Sequence, residues 1–135
     1  MFLQPKKVKY KKTKKGKLNK LEFKTNKLNF GTVGLKAVNS AIITARQIEA
    51  SRQAISRKIK KKGKLWIRIF PDTPITSKSV AARMGKGKGS VSHWGAKVNG
   101  GSIIFEICGV NDFNIIKNAL RTGGAKLPLK TRIIK

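Results

Sequence analysis

Residues 44–70 read TARQIEASRQAISRKIKKKGKLWIRIF and decide the fold, because they predict a helix followed directly by a strand. The opening TARQ is a capping box, in which Thr44 accepts from the amide of Gln47 and the Gln47 side chain reaches back. The helix is predicted to run to about Lys62, since Gly63 is a typical C-terminal stop. KLWIRIF at 64–70 then predicts a strand that ends before a proline.

The two faces of this helix differ in character. At about 100° per residue, Ile48, Ile55 and Ile59 share one side, which predicts packing on a sheet. The opposite side is predicted to meet phosphates, the alternative being a merely solvated basic face, and it carries Arg46, Gln53, Arg57 and Lys60. In the strand that follows, Arg68 lies between Trp66 and Phe70, which predicts either a second core layer or a base-stacking platform.

The remaining segments complete an α+β pattern. Extended chain is predicted for 28–41, and a long loop for 71–90. A hairpin is predicted from 91–98 and 102–108, because Asn99-Gly100 is a strong turn signal. A second helix is predicted to be capped by Asn111, to carry Phe113, Ile116 and Leu120 on one face and to end at Gly123-Gly124, followed by a strand at about 129–134. This order predicts two helices packed on a mainly antiparallel sheet.

Charge narrows the class of partner. The 135 residues include 32 Lys and Arg against 5 Asp and Glu, a net charge of +27. Such self-repulsion destabilises a compact state unless a polyanion neutralises it, which indicates nucleic acid or an anionic membrane. Because no segment approaches the roughly 20 apolar residues of a membrane span, nucleic acid is favoured and no membrane partner is expected.

The lysine-rich segment 1–27 is predicted to be an extension of a single globular domain at 28–135. It holds eleven lysines, one acid and no helical or strand period. Such a segment orders itself poorly alone, but it can order beside a phosphate backbone. A solvated tail and a mitochondrial targeting peptide are the alternatives, and the lack of arginine counts against the second.

The segment RMGKGKGS at 83–90 is the motif with the most specific chemistry. Its alternating glycines permit positive φ and a close backbone approach, and its amides can form an anion-binding nest. The spacing is neither a Walker A loop nor a dinucleotide-binding motif, so a loop against RNA phosphates is predicted. A flexible linker is the alternative.

Catalytic and metal chemistry find no support in the sequence. The five acids form no close pair, the one histidine has no evident base-and-nucleophile partner, and no metal-ligand cluster exists. We therefore predict that the chain is not an enzyme and that it uses no cofactor and no metal.

The chain resembles the bacterial-type family of large-subunit ribosomal protein sixteen over nearly its whole length, in colinear order. The matching segments are LQPKK at 3–7, FGTVGLKAV at 30–38, TARQIEASRQAISR at 44–57, GKLWIRIFPDTPIT at 63–76, RMGKGKGSVSHW at 83–94, FEICGV at 105–110 and AKLPLKT at 125–131. The resemblance implies an α/β-hammerhead fold that binds large-subunit rRNA beside the A-site, contacts A-site tRNA and adjoins other ribosomal proteins.

The resemblance also implies roles for particular residues. Arg83, Lys86 and Lys88 would contact rRNA, and the extension would contact rRNA or tRNA through Lys6, Lys7, Lys9, Lys11 and Lys12. Two departures from common bacterial members are the richness of the extension in lysine and the strand SHWGAKV at 92–98.

The compartment and the class of nucleic-acid-binding protein are further predictions. The bias towards Lys, Ile and Asn, together with the SVSHW variant, favours a mitochondrial ribosome and an organelle-encoded chain. A plastid or the bacterial cytoplasm is the alternative. The competing function is a free, general nucleic-acid-binding protein resembling a chromatin component.

Overall fold

A computed structural model describes residues 3–18, 20–60 and 62–135. It contains two helices and seven strands within these ranges, which confirms the α+β class. In chain order the elements are β1 (Val33–Ala37), β2 (Ala41–Thr44), α1 (Ala45–Lys58), β3 (Lys64–Ile67), β4 (Thr73–Ser77), β5 (Ser90–Val98), β6 (Ile103–Cys108), α2 (Phe113–Gly124) and β7 (Thr131–Ile134).

The strands form two antiparallel sheets where the sequence had predicted one. One sheet has the order β3-β6-β1-β7 and the other the order β2-β5-β4. Consecutive strands β1 and β2 therefore belong to different sheets, as do β5 and β6. Both helices pack over a common core whose fully buried side chains include Leu35, Ile43, Ile55, Phe105 and Leu120.

The predicted hairpin around Asn99-Gly100 is wrong. The turn itself forms, since the Ser102 amide donates to the Asn99 carbonyl at 3.1 Å. However, β5 pairs with β2 and β4, whereas β6 pairs with β1 and β3. The amide of Gly101 donates to the Ala37 carbonyl at 2.8 Å and so directs the chain onto β1. A local turn signal carries no information about such long-range pairing.

Helix α1 begins as predicted and ends earlier than predicted. The Thr44 hydroxyl accepts from the Gln47 amide at 3.3 Å, and Gln47 Oε1 accepts from the Thr44 amide at 2.9 Å. The helix ends at Lys58, and Lys60 has a φ of +51°. Lys61, which the predicted helix included, lies outside the described residues.

Gly63 does not end helix α1, because it lies immediately before β3, where the chain passes close to β6. A Cβ on Gly63 would lie 2.5 Å from the Cys108 carbonyl oxygen, so this glycine allows the chain to approach β6 where β3 begins. The turn out of the helix consequently falls on Lys60, a residue type that rarely adopts positive φ.

Helix α2 packs against α1 through a glycine in its last turn. A Cβ on Gly123 would meet Ile55 Cγ1 at 2.5 Å, and the Ser51 hydroxyl donates to the Gly123 carbonyl at 2.9 Å. Gly123 and Gly124 are the last two residues of the helix, which therefore ends at this pair as predicted. The packing also requires their small size, since a Cβ on Gly124 would meet Thr131 Oγ1 at 2.5 Å.

Other predicted boundaries also shift. The N-cap of α2 is Asp112 and not Asn111, because Asp112 Oδ1 accepts from the Asn114 amide at 2.8 Å. Ile116 and Leu120 are buried as predicted, whereas Phe113 is 42% exposed. The predicted strand at 64–70 ends at Ile67, the predicted loop at 71–90 contains strand β4, and the last strand begins at Thr131 rather than Leu129.

A buried carboxylate lies at the centre of the larger sheet. The side chain of Glu106 is fully buried in β6 and accepts from the amides of Asn29, Phe30 and Gly31, with Oε2 at 3.2, 2.7 and 2.7 Å. Arg68 donates to its other oxygen. Burial alone would raise the pKa of Glu106, but these hydrogen bonds outweigh it and lower the pKa. The segment before β1 is thereby tied across the sheet.

Replacing Glu106 by glutamine should destabilise the fold by about 3 kcal/mol near neutral pH, because Arg68 and three amides lose an ionised acceptor. A carboxyl whose folded pKa is lowered contributes stability above its unfolded pKa, near 4.5, and loses it as pH falls through the folded value. Urea unfolding of both proteins from about pH 7 to about pH 3 should show the difference shrinking only at the acidic end.

The matched control for this prediction is Glu49→Gln, which removes an acid from the surface pair with Arg52 (2.7 Å). It should cost less than about 1 kcal/mol. Equal losses for the two variants, or a Glu106→Gln difference that does not depend on pH, would contradict the structural role assigned to Glu106.

Replacing Lys60 by glycine should raise the free energy of unfolding by about 0.5–1 kcal/mol, because glycine adopts the left-handed conformation without a Cβ penalty. Lys58→Gly removes the same charge within the last helical turn and should lower stability by about 1 kcal/mol. Thermal melting of both variants tests the pair, and a loss of stability in Lys60→Gly would refute the assignment of strain there.

Candidate nucleic-acid interface

The loop that connects β4 to β5 has an unusual backbone. Gly85, Lys86 and Gly87 have φ angles of +82°, +53° and +82°, so three consecutive residues are left-handed. For a lysine this conformation costs about 1–2 kcal/mol. Lys78 Nζ donates to the Gly85 carbonyl at 2.7 Å and helps to hold the turn. The side chain of Lys86 is exposed at its tip.

The glycines of this loop have different structural roles. Gly85 and Gly87 have open space where a Cβ would stand, so positive φ and not crowding explains them. A Cβ on Gly89 would lie 2.3 Å from the Ser77 carbonyl oxygen. Its close approach is therefore to strand β4 of the same chain, whereas the sequence had suggested an approach to another surface.

The N-terminal extension contacts the loop across 76 residues of sequence. Lys12 Nζ donates to the Lys88 carbonyl at 2.9 Å, and Lys88 Nζ donates to the Thr13 carbonyl. We call this joint region, residues 6–15 with residues 83–88, the extension–loop surface. It brings together the two groups of site residues predicted from the resemblance, and all of them are exposed: Lys6, Lys7, Lys9, Lys11, Lys12, Arg83, Lys86 and Lys88.

The extension is attached to the folded core near both of its ends. The side chain of Leu3 is 7% exposed and belongs to the hydrophobic core. Towards the other end, the Glu22 amide donates to the Gly100 carbonyl at 2.9 Å, and the Thr25 carbonyl accepts from the Ile103 amide at 3.0 Å. Every lysine from Lys6 to Lys20 is exposed between these anchors. Met1, Phe2 and Asn19 of the predicted extension lie outside the described residues.

The predicted basic residues of α1 and of the turn after it, Arg46, Arg57 and Lys60, are exposed but do not all line the same groove. Arg46 lines a cleft of about 1010 Å³ together with Leu3, His93 and Trp94. A second, shallower groove of about 520 Å³ is lined by Arg52, Gln53, Ser56, Arg57 and Lys60. Arg46 therefore adjoins the start of the extension, whereas Arg57 and Lys60 line a second basic groove that shares Gln53 with the cleft.

The acids all have structural partners and leave the extension–loop surface free of negative side chains. Glu106 and Glu49 pair with Arg68 and Arg52. The three remaining carboxylates accept hydrogen bonds from nearby residues of their own segments: Glu22, Asp72 and Asp112. A hydrogen bond from Arg52 lowers the pKa of Glu49, and one from the Lys24 amide lowers that of Glu22. Such carboxylates are poor proton donors near neutral pH.

Neither a membrane span nor a metal centre is evident in the described ranges. None of the helices there is long and apolar enough to cross a bilayer. No group of three or more His, Cys, Asp or Glu side chains in those ranges could hold a metal ion.

Several contributors to this interface were not predicted. Thr13 and Lys78 hold the extension and the loop in place, and the exposed Phe30 packs with the partly buried Trp66 and Arg68. The hydrogen bond that joins Thr13 to Lys88 is a long-range contact, for which the sequence carries no spacing signal. The position of Arg68 between Trp66 and Phe70, which had suggested a stacking platform, could have directed attention to the cluster.

Comparison with known proteins agrees with the resemblance. Residues 5–134 match the family described as ribosomal protein L16p/L10e. The chain is 54% identical to large ribosomal subunit protein uL16 of Caulobacter vibrioides over 133 residues, which cover 98% of this chain and 92% of that protein. The uL16 protein of Bartonella quintana is 54% identical, with 99% and 97% covered, and that of Paracoccus denitrificans is 53% identical, with 98% and 96% covered.

These relatives are bacterial, so they agree with the bacterial alternative and give no support to the mitochondrial prediction. Because the family is one of structural ribosomal proteins, the prediction that the chain is not an enzyme is confirmed. The family match spans almost the whole chain, and the chain therefore belongs to the ribosomal protein L16p/L10e family.

Proposed function

We propose that this chain is a structural constituent of the large ribosomal subunit that binds large-subunit rRNA through the extension–loop surface. The observation that carries the proposal is the pair of contacts between Lys12, Thr13 and Lys88, which joins two lysine-rich segments into one cationic surface. The family and its uL16 relatives supply the ribosomal context.

Electrostatics explains why this surface needs a polyanion. Two ammonium groups, those of Lys12 and Lys88, are drawn together by carbonyls of the opposite segment, while further lysines stay exposed around them. In the described part of the chain the acids are engaged elsewhere, so the repulsion has no internal compensation. Phosphates compensate it and release their counterions, which favours binding most strongly at low salt. Folded RNA is contacted in this way largely by shape and backbone.

The position of the protein within the subunit is a further part of this proposal. By the resemblance, the loop with Arg83, Lys86 and Lys88 would lie against rRNA near the A-site, and the extension would lie within reach of A-site tRNA. Arg46 would bind phosphates beside the start of the extension, and Arg57 and Lys60 would bind them in the second groove. Neighbouring ribosomal proteins would adjoin the chain. The role is positional, since the chemistry of peptide bond formation would belong to the RNA.

Two observations bear on the compartment of that ribosome, and they favour different compartments. The bias towards Lys, Ile and Asn favours a mitochondrial ribosome, while the bacterial relatives favour a bacterial cytoplasm. The surface proposed here works in the same way in either ribosome, because a phosphate backbone is common to both.

The double variant Lys86→Ala/Lys88→Ala should weaken the binding of the full chain to large-subunit rRNA. Two phosphate contacts are lost, so the slope of log affinity against log salt should fall by about 2. Alanine and lysine carry similar penalties at positive φ, so the backbone at residue 86 stays equally strained. Filter binding over a range of salt concentrations measures the slope, and subunit assembly and tRNA accommodation are followed in cells.

The control is Lys117→Ala/Lys126→Ala, which removes two exposed lysines outside the extension–loop surface. It should change the slope and the affinity much less. Normal assembly, tRNA binding and translation in the loop variant would refute the proposal that the loop binds RNA.

A further inference from the structure

Phe30 stands on the surface although its backbone is held rigidly. The ring is 57% exposed. The amides of Phe30 and of Gly31 each donate to Glu106 at 2.7 Å, and Gly31 lies so close to β6 that a Cβ would meet the Ile107 carbonyl oxygen at 2.7 Å. A large apolar side chain is therefore presented to solvent by a segment with little freedom to turn it inward.

Phe30 belongs to a cluster of aromatic and cationic side chains. Its ring stacks on Trp66 with the centroids 6.1 Å apart and the planes inclined by 21°. The Arg68 guanidinium lies 5.1 Å from the Phe30 centroid, and Lys64 Nζ lies 5.2 Å from the Trp66 centroid. We call these four residues the Phe30 cluster. It places π faces and positive charge on one patch of surface.

The Phe30 cluster is not an extra layer of the core. Leu65, Ile67 and Ile69, which alternate with its residues along the chain, pack against the hydrophobic core. Trp66 is only half-buried on the other side, and Phe30 covers part of it. The cluster thus occupies an outer face of the larger sheet, where the sequence had left a second core layer and a stacking platform as alternatives.

Charge indicates what this face would bind. Arg68 is neutralised by Glu106, but Lys64 is exposed and is not in either ion pair found in residues 3–18, 20–60 and 62–135. Lys62, two residues earlier, is also exposed. An apolar protein segment would not need these cations. A ligand with a flat π face and an attached negative charge matches both features, and an unpaired nucleotide has both.

We propose that the Phe30 cluster is a stacking site for one unpaired nucleobase of the bound RNA, with Lys64 placed to meet the adjoining phosphate. This deepens the proposed RNA-binding function and rests on it. Aromatic side chains take unstacked bases of single-stranded loops in this way, and the gain is largely independent of base identity. The extension–loop surface would bind backbone phosphates, and the Phe30 cluster would bind an RNA position whose base is unpaired and free to stack.

The test compares two RNA probes on the intact chain: an oligoadenylate of about 12 nucleotides and an RNA duplex of similar length. Phe30→Leu keeps an apolar side chain and removes the π face. It should weaken oligoadenylate binding about 10-fold and change duplex binding by less than about twofold. Lys86→Ala/Lys88→Ala, in contrast, should weaken the binding of both probes.

Phe113→Leu is the matched control, because Phe113 is also a partly exposed phenylalanine with a lysine, Lys135, 5.5 Å from its ring centroid. It should leave both affinities unchanged. If Phe30→Leu behaves like Phe113→Leu, or weakens both probes equally, the stacking site is refuted while RNA binding stands. If Phe30→Leu behaves like Phe113→Leu, this face of the sheet would instead be assigned to contact with a protein. If the wild-type chain binds neither probe, the proposed function falls as well.

A second measurement keeps the test decisive if Phe30→Leu proves unstable. Ultraviolet cross-linking of the wild-type chain to a single-stranded oligouridylate, followed by peptide mapping, should attach RNA to Phe30 or Trp66. Cross-links confined to other peptides, such as those containing His93 and Trp94, would overturn the proposal.

Discussion

The buried Glu106 carboxylate joins the segment before β1 and the Arg68 side chain to the larger sheet. From the middle of β6 it binds the amides of residues 29–31 and the guanidinium of Arg68. A buried charge without such partners would be very costly, so the segment before β1 must pass over this point of the sheet. The position of this segment over Glu106 fixes where β1 begins and places Phe30 on the surface above Trp66. The bond from Arg68 to Glu106 helps to hold the chain after β3 at the edge of the sheet beside β6.

Local chemistry made part of this fold predictable. The capping box at Thr44 and the spacing of Ile48 and Ile55 predicted helix α1, because both signals act within a few residues. Contacts between distant parts of the chain could not be predicted: the backbone amides that bind Glu106 are 75–77 residues away in sequence, and Arg68 is 38 residues away. The hairpin prediction failed for the same reason, since an Asn-Gly turn is local and the pairing of β6 with β1 is not.

The candidate interface shows the same division. Composition and the glycine–lysine pattern predicted which residues carry the charge, and these residues are exposed. Their arrangement could not be predicted, because the hydrogen bonds that join the extension to the loop are long-range. They link Lys12 and Thr13 to Lys88, 75–76 residues away in sequence. The groove at Arg57 and Lys60 includes no residue of the extension–loop surface. The charge of +27 is thus distributed over more than one surface of the chain.

We propose that this charge binds the rRNA of one particle, the large ribosomal subunit, rather than nucleic acid in general. Sedimentation of lysate through a sucrose gradient, with detection of the chain after a moderate-salt wash, distinguishes the two. We expect the chain to sediment with large ribosomal subunits and to stay with them through the wash. A ribosome-free pool holding most of the chain, with comparable affinity for duplex DNA and for large-subunit rRNA, would contradict it and favour a free, general nucleic-acid-binding protein.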